Sequence, residues 1–327
     1  MRRRAVLLGL GAGLAAARAR AENGPVRRIA VLSGGGRADD ADSLARVAAL
    51  KEELAELGWT EGRNLRFDLE WTDGRAERIE AAARRVVERR PDVIVTSSTP
   101  AAIALARATR TIPVVMATIV DPVGLGIVAS LARPGANLTG FTLVDLDLLP
   151  KWPDVLREVA PGLARAALIY NPQTTPFYPE VMRKLAPSSR DGVPMHLVAI
   201  ERPEEIEAVV ARIAAAPGTG LVMLPNPLLN AERRRIAAAT GRLRVPSISV
   251  FRDYAAQGGL MAYGPDILAI YRRAAEYVDR ILRGAEPGSL PVQSPLRYEL
   301  AINLRVASAL GLTVSSSLLG RADEVIE

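Results

Sequence analysis

The chain has 327 residues, no cysteine, one histidine and a formal net charge of +6, with aromatic residues at only 4%. The missing cysteine excludes disulfides, thiol catalysis, cysteine metal sites and a lipid-modified cysteine, and a single histidine excludes a histidine-rich metal centre. The length suffices for two α/β domains.

Met1-Arg2-Arg3-Arg4 precedes an apolar stretch from Ala5 to Ala17, and Ala19-Arg20-Ala21 follows. A basic start, an apolar run too short to span a bilayer and a small-residue exit describe a secretory signal peptide over residues 1–21. The paired arginines fit a twin-arginine route, and ordinary Sec export fits equally. The Gly9-Leu-Gly11-Ala-Gly13 run is not read as a dinucleotide loop, because no strand–turn–helix unit surrounds it. The leader holds five of the 42 basic residues and none of the 36 acidic ones, leaving 37 basic and 36 acidic residues, or +1, in the remainder. The basic balance is therefore mainly a leader effect. Arg84-Arg85, Arg89-Arg90 and Arg233-Arg234-Arg235 read as solvated helix faces rather than a nucleic-acid stripe.

Arg28 to Ser33 reads as a strand with a glycine-rich exit, Gly34 to Gly36. Asp42 to Leu57 reads as a helix, Asn64 to Trp71 as a strand, Ala76 to Arg89 as a helix and Asp92 to Thr96 as a buried strand. A helix from Pro100 to Thr109 and a strand from Ile112 to Met116 follow. Asp121-Pro122 then opens a helix-like segment, Val123 to Leu131, broken by Arg133-Pro134-Gly135 before the extended run Leu138 to Phe141. The alternation restarts after Leu146. Helices are expected over Lys151–Val159, Phe177–Leu185, Pro203–Ala215 and Ala231–Arg242. Strands are expected over Ala166–Tyr170, Pro194–Ile200, Gly220–Leu224 and Ser247–Val250. Gly259 to Tyr263 reads as another strand, Leu268 to Arg283 as a long amphipathic helix and Pro287 to Pro295 as a linker. Tyr298 to Ile302 and a helix after Asn303 close the chain. Strands separated by helices imply parallel sheets with helices on both faces.

Five segments carry a family resemblance: Glu53 to Asn64 (ELAELGWTEGRN), Asp121 to Phe141 (DPVGLGIVASLARPGANLTGF), Gly258 to Pro265 (GGLMAYGP), Tyr271 to Asp279 (YRRAAEYVD) and Arg321 to Glu327 (RADEVIE). Together they resemble the substrate-binding proteins of ABC transporters, in the group that includes tryptophan- and tyrosine-type binders. The resemblance implies an α/β, two-lobed periplasmic-binding-protein-like fold, each lobe a mainly parallel sheet flanked by helices, with the ligand cleft between lobes that close by hinging. It implies lobes of residues 26–142 plus 258–288 and of residues 143–257 plus 289–327. It also implies a monomer in the periplasm that takes a small-molecule solute and meets an ABC permease at the inner membrane, with no cofactor, no metal and no nucleic acid.

Ligands of open α/β sheets bind beyond the carboxyl ends of strands. Ser97, Ser98 and Thr99 stand at such an end and open a helix, where hydroxyls and free N–H groups suit a carboxylate; N-capping is the structural alternative. Asp121 at the next strand end either caps its segment or neutralises a ligand ammonium group. On the second reading, Asp121→Ala sharply weakens an amino-acid ligand. Gly34 to Gly36 let ligand approach the first strand's end, beside Ser33, or merely turn the chain. Thr139 completes the first-lobe candidates. On the second lobe, Asn171 and Asn226 each end a strand before a proline, as cleft amides or as Asx turns. Tyr263 offers a ring and a hydroxyl. Trp59, Trp71 and Trp152 fall away from the expected cleft, so no indole-stacking pocket is evident.

His196 lies inside an expected strand, and no nucleophile elbow or phosphate-loop lysine occurs. The expected function is solute capture without catalysis, the best ligand guess being an amino acid or related small carboxylate. The alternatives are a sensory binding protein that presents ligand to a membrane receptor and an exported α/β enzyme.

Overall fold

The computed structural model describes residues 25–185 and 192–327; the leader expected over residues 1–21 lies outside the described residues. Ile29 to Leu32 is an unbroken apolar run, and all four residues are buried. Such a run belongs to a strand covered on both faces, as parallel strands are. It forms β1 (Arg27–Ser33), followed by α1 (Ala41–Glu56), β2 (Leu65–Trp71), α2 (Ala76–Glu88), β3 (Val93–Ser97), α3 (Thr99–Ala108), β4 (Val114–Ile119) and β5 (Leu138–Thr142). The five strands make one parallel sheet in the order β2-β1-β3-β4-β5.

The second sheet is built from α4 (Lys151–Val159), β6 (Arg165–Tyr170), α5 (Tyr178–Leu185), β7 (Met195–Ala199), α6 (Ile206–Ala214), β8 (Thr219–Met223), α7 (Pro227–Ala231), α8 (Arg233–Arg242), β9 (Ser247–Ser249), α9 (Arg252–Ala256) and β10 (Met261–Pro265). After α10 (Ile267–Leu282) it is completed by β11 (Tyr298–Asn303), α11 (Leu304–Leu310), α12 (Ser316–Leu319) and β12 (Glu324–Ile326). Its order is β12-β11-β10-β9-β8-β6-β7, with β10 and β11 antiparallel and the other pairs parallel.

Three expectations need correction. No helix forms over Val123–Leu131; the stretch is a series of turns. Gly124 and Gly126, the latter at φ +66°, weaken any helix there. Asp121, itself at φ +46°, takes the Gly124 N–H on its carboxylate at 2.9 Å, and Pro122 carbonyl accepts from both Ile127 and Val128. The lobe boundaries also shift. Strand β10 hydrogen-bonds to β9 and β11, so Met261–Pro265 lies in the second sheet rather than with the first lobe. After β10 the chain crosses back, with α10 packing along α1 and over β3, β4 and β5. Conversely, the stretch around Leu290–Gln293 runs along β5 of the first sheet: Thr139 Oγ1 donates to Leu290 O (2.6 Å), and Thr142 N to Gln293 O (2.9 Å). Among the described residues the chain thus passes between the sheets three times: after β5, between β10 and α10, and between Gln293 and β11.

On the edge strand β2, Glu70 receives Arg85 of α2 (3.0 Å) and Arg89, the C-cap of that helix (2.6 Å). Burial opposes its ionisation, but hydrogen bonds and charge from the two arginines hold its pKa below the ordinary value. A depressed carboxylate stabilises the fold above its unfolded pKa and loses that contribution as pH falls through the folded one. Glu70→Gln is expected to cost about 1 kcal/mol near neutrality. The deficit should vanish in acid below the depressed pKa, as urea titrations at several pH values would show.

Candidate functional site

The carboxyl ends of β1, β3 and β4 point toward those of β6, β8 and β9, and a narrow cavity of about 40 Å³ lies between them. The first lobe lines it with Gly35 and Gly36 after β1, Ser97 to Pro100 at the β3–α3 junction, Thr118 and Val120 at the end of β4, and Arg46 from α1. The second lobe supplies Thr175, the Pro225-Asn226-Pro227 turn after β8, Asn230 from α7 and Phe251 after β9.

Each wall has a local cause. Ser98 sits at φ +83° where β3 turns into α3, a conformation that L-residues adopt at a cost and that gathers at functional sites. Its Oγ is buried without a hydrogen-bond partner. Thr99 is held differently: its Oγ1 accepts the Val120 N–H at 2.9 Å and so joins α3 to β4. Behind them the buried Tyr271 of α10 hydrogen-bonds Ser97; burial pushes its phenol pKa up. Across the cavity, Asn226 caps α7 by accepting from Leu229 N (3.2 Å) and donates to the hydroxyls of Thr174 (2.7 Å) and Thr175 (3.0 Å). Asn230, one turn further on, is 5% exposed and its Oδ1 has no partner. A buried polar atom left unpaired costs about 1–3 kcal/mol unless something supplies the missing bond.

Arg46 is the single charged side chain among the lining residues. Its guanidinium pairs with Asp253 of α9 and lies 5.6 Å from the Phe251 ring centroid. Asp253 offsets its charge, and the N-terminus of α3 adds only partial positive charge to the wall.

Of the residues singled out from sequence, Ser97, Ser98, Thr99 and Asn226 meet in this cavity. Ser33 and Gly34 stand just behind it. Gly34 N donates to Ser97 O (3.2 Å) and its carbonyl accepts from Thr72 Oγ1 (2.6 Å), while the next two glycines form the wall. The other four lie elsewhere. Asp121 opens onto a separate groove with Asp145, Asp147 and Lys184. Thr139 is fully buried against Leu290. Asn171 closes an Asx turn through Gln173 N (2.9 Å) and Thr174 N (3.1 Å), and its amide donates to Glu201 O. Tyr263 packs its ring 5.8 Å from that of Tyr298, and its carbonyl accepts the Trp152 indole N–H. Sequence reading missed Arg46, Thr118, Thr175, Asn230 and Phe251. Asn230 had a signal: it follows Asn226 by four residues, one helical turn on the same face. Arg46 had none, because a mid-helix arginine looks like any solvated one.

The sequence profile described as "ABC transporter substrate binding protein" matches residues 39–326. A tyrosine-binding protein of Clostridioides difficile is 23% identical over 259 residues, 79% of this chain and 74% of that protein. Among solved structures, a conserved domain protein of Vibrio cholerae superposes with a TM-score of 0.82 at 27% identity, over 92% of this chain and 99% of that one. An ABC domain of Streptococcus pneumoniae in complex with L-Trp gives 0.82 at 22% identity with the same coverage.

Proposed function

The chain belongs to the ABC transporter substrate-binding protein family, and from that premise we propose that it is an exported receptor. It captures a small molecule in the cavity between the two sheets and delivers it to an ABC permease at the inner membrane. Residues 1–21 direct the export, and the mature protein works in the periplasm without catalysing a reaction. The observation that carries the reading is that Ser98 and Asn230, each with a buried side-chain oxygen lacking a partner, line one cavity from opposite lobes. A solute that bonds both is bound best when the lobes are together, and that differential affinity drives closure.

The ligand is an amino acid or a related small carboxylate. A carboxylate suits the α3 N-terminus with Ser97 and Ser98. Asn230 Oδ1 accepts a donor from the rest of the ligand. No lining residue is acidic, so within this class an uncharged amide or hydroxyl donor fits better than a free ammonium group, which would be desolvated without a counter-ion. The similar proteins named above point to aromatic amino acids; here the cavity's aromatic wall is Phe251.

Thermal unfolding of residues 22–327, unfolded and refolded to strip bound solute, against amino acids, N-acyl amino acids, hydroxy acids and sugars tests the reading. A ligand at about a hundred times its Kd adds roughly 2.7 kcal/mol. Stabilisation by carboxylates supports it; stabilisation by sugars alone, or by nothing in the panel, sinks the carboxylate assignment. With a ligand in hand, Asn226→Ala should weaken binding at least about tenfold and cost about 2 kcal/mol of stability, through the lost cap and two stranded hydroxyls. Asp121→Ala should leave affinity within about twofold, the reverse of what its position in the sequence leads one to expect. Calorimetric titration of both variants distinguishes the two.

A further inference from the structure

A cluster of charged groups lies on the seam between the lobes. Arg233 of α8 is 2% exposed, although arginine is rarely buried unless paired. Its Nη1 donates to Asn230 O in its own lobe at 2.8 Å, while its Nη2 pairs with carboxylates of the other lobe: Asp40, the N-cap of α1, at 2.5 Å, and Asp42, in the first turn of the same helix, at 2.8 Å. Gln257, the C-cap of α9, also crosses the seam to donate to Asp42, and Arg46 of α1 crosses in the opposite sense to Asp253. Asp253 in turn lies 3.7 Å from Arg233 Nε. Asp40 accepts from both the N–H and the hydroxyl of Ser43, so one of its oxygens is spoken for within its own helix and the other faces Arg233. Burial works against the Arg233 charge, and the hydrogen bonds and charges of Asp42, Asp253 and Asp40 overcome it.

We propose that Arg233 is a positioning residue for capture, a latch on the second lobe that holds the lobes shut by pairing with Asp40 and Asp42 of the first. The inference rests on the receptor reading above but concerns closure rather than the solute. Opening the cleft separates Arg233 from both carboxylates and returns all three groups to water. The latch therefore acts on the open–closed equilibrium, and any solute that needs the closed state inherits its contribution. A further crossing ion pair, Arg46–Asp253, lines the cavity at one end and meets Arg233 at the other, so the seam and the ligand wall form one connected network.

The chain has no cysteine, so a spin-label pair at Ala45→Cys on α1 and Ala238→Cys on α8 is unique; both positions are exposed. Dipolar distance measurement on stripped, ligand-free protein reads the closed fraction directly. Arg233→Met is expected to lower the closed-to-open ratio about tenfold or more, and Gln257→Ala, which removes only a neutral partner, to shift it in the same direction by less. Arg235→Met, which removes a pair confined to the second lobe with Glu207, should leave the distribution unchanged. Thermal midpoints of each variant separate opening from unfolding, and if Arg233→Met does not fold, Gln257→Ala decides. Distance distributions identical to the parent's in the folded variants overturn the latch. Because no solute is present, a ligand panel that fails while the latch effect stands would count against the receptor reading alone.

Discussion

Gly74→Ala is expected to lower solute affinity at least about a hundredfold while costing the ligand-free protein only about 1 kcal/mol. Gly74 lies between β2 and α2 at φ +73°, where a side chain is disfavoured by roughly that amount. The larger effect comes from the other lobe. A Cβ at this position would stand 2.5 Å from Pro227 O and 2.6 Å from Leu228 Cα, at the start of α7. These are backbone atoms of a capped turn, held by Asn226, and they cannot swing aside as a flexible side chain would. In an opened molecule the two surfaces part and the clash disappears. The substitution thus penalises one state of the pair, and affinity falls by the factor by which that state is depopulated. Titration with the solute found by thermal screening, beside urea denaturation without it, measures both quantities. Unchanged affinity would mean that the contact between Gly74 and α7 is absent from the binding-competent form.

Trp152→Ala is expected to destabilise the protein by about 3–5 kcal/mol, the range for truncating a buried tryptophan. Trp152 opens α4, just after the first crossing between lobes, and is 1% exposed. Its indole N–H donates to Tyr263 O at 2.8 Å, in β10, the strand that leads into the second crossing. One side chain therefore fills the second lobe's core and joins two of the three connections. Trp152→Phe keeps most of the apolar area but strands the Tyr263 carbonyl, and should cost about 1–3 kcal/mol. Urea unfolding of both, with slopes compared to confirm two-state behaviour, separates packing from hydrogen bonding. A loss below about 1 kcal/mol for the alanine variant would show that α4 does not anchor the second lobe.

The parallel sheets were legible because β1, β3 and β4 are buried on both faces, and continuous apolar runs between helical stretches leave little choice of arrangement. The β4–β5 connection was misread as a helix. Apolar periodicity over Val123–Leu131 is real, and Ile127 and Val128 do pack inward. Two glycines and the Asp121 turn nevertheless direct the backbone hydrogen bonds elsewhere. The same turn removes Asp121 from the cavity. A carboxylate at a strand end is placed by the dihedral angles that follow it, and sequence spacing does not carry those angles. Asn171 and Asn226 illustrate the limit further. Both precede a proline at a strand end, yet one closes a turn away from the cavity and the other forms its wall.

The alternation of strands and helices along most of the chain and the apolar faces of the sheets were determined by the sequence alone, because each depends on neighbours a few residues away. Which strand ends share a cavity, that β10 sits in the second sheet while α10 returns to the first, and that Arg233 meets Asp40 and Asp42 across about 190 residues were decided only by the tertiary structure. Those contacts arise where two lobes approach through three separate crossings, and the free energy of bringing distant charges together under burial depends on geometry that no local pattern encodes.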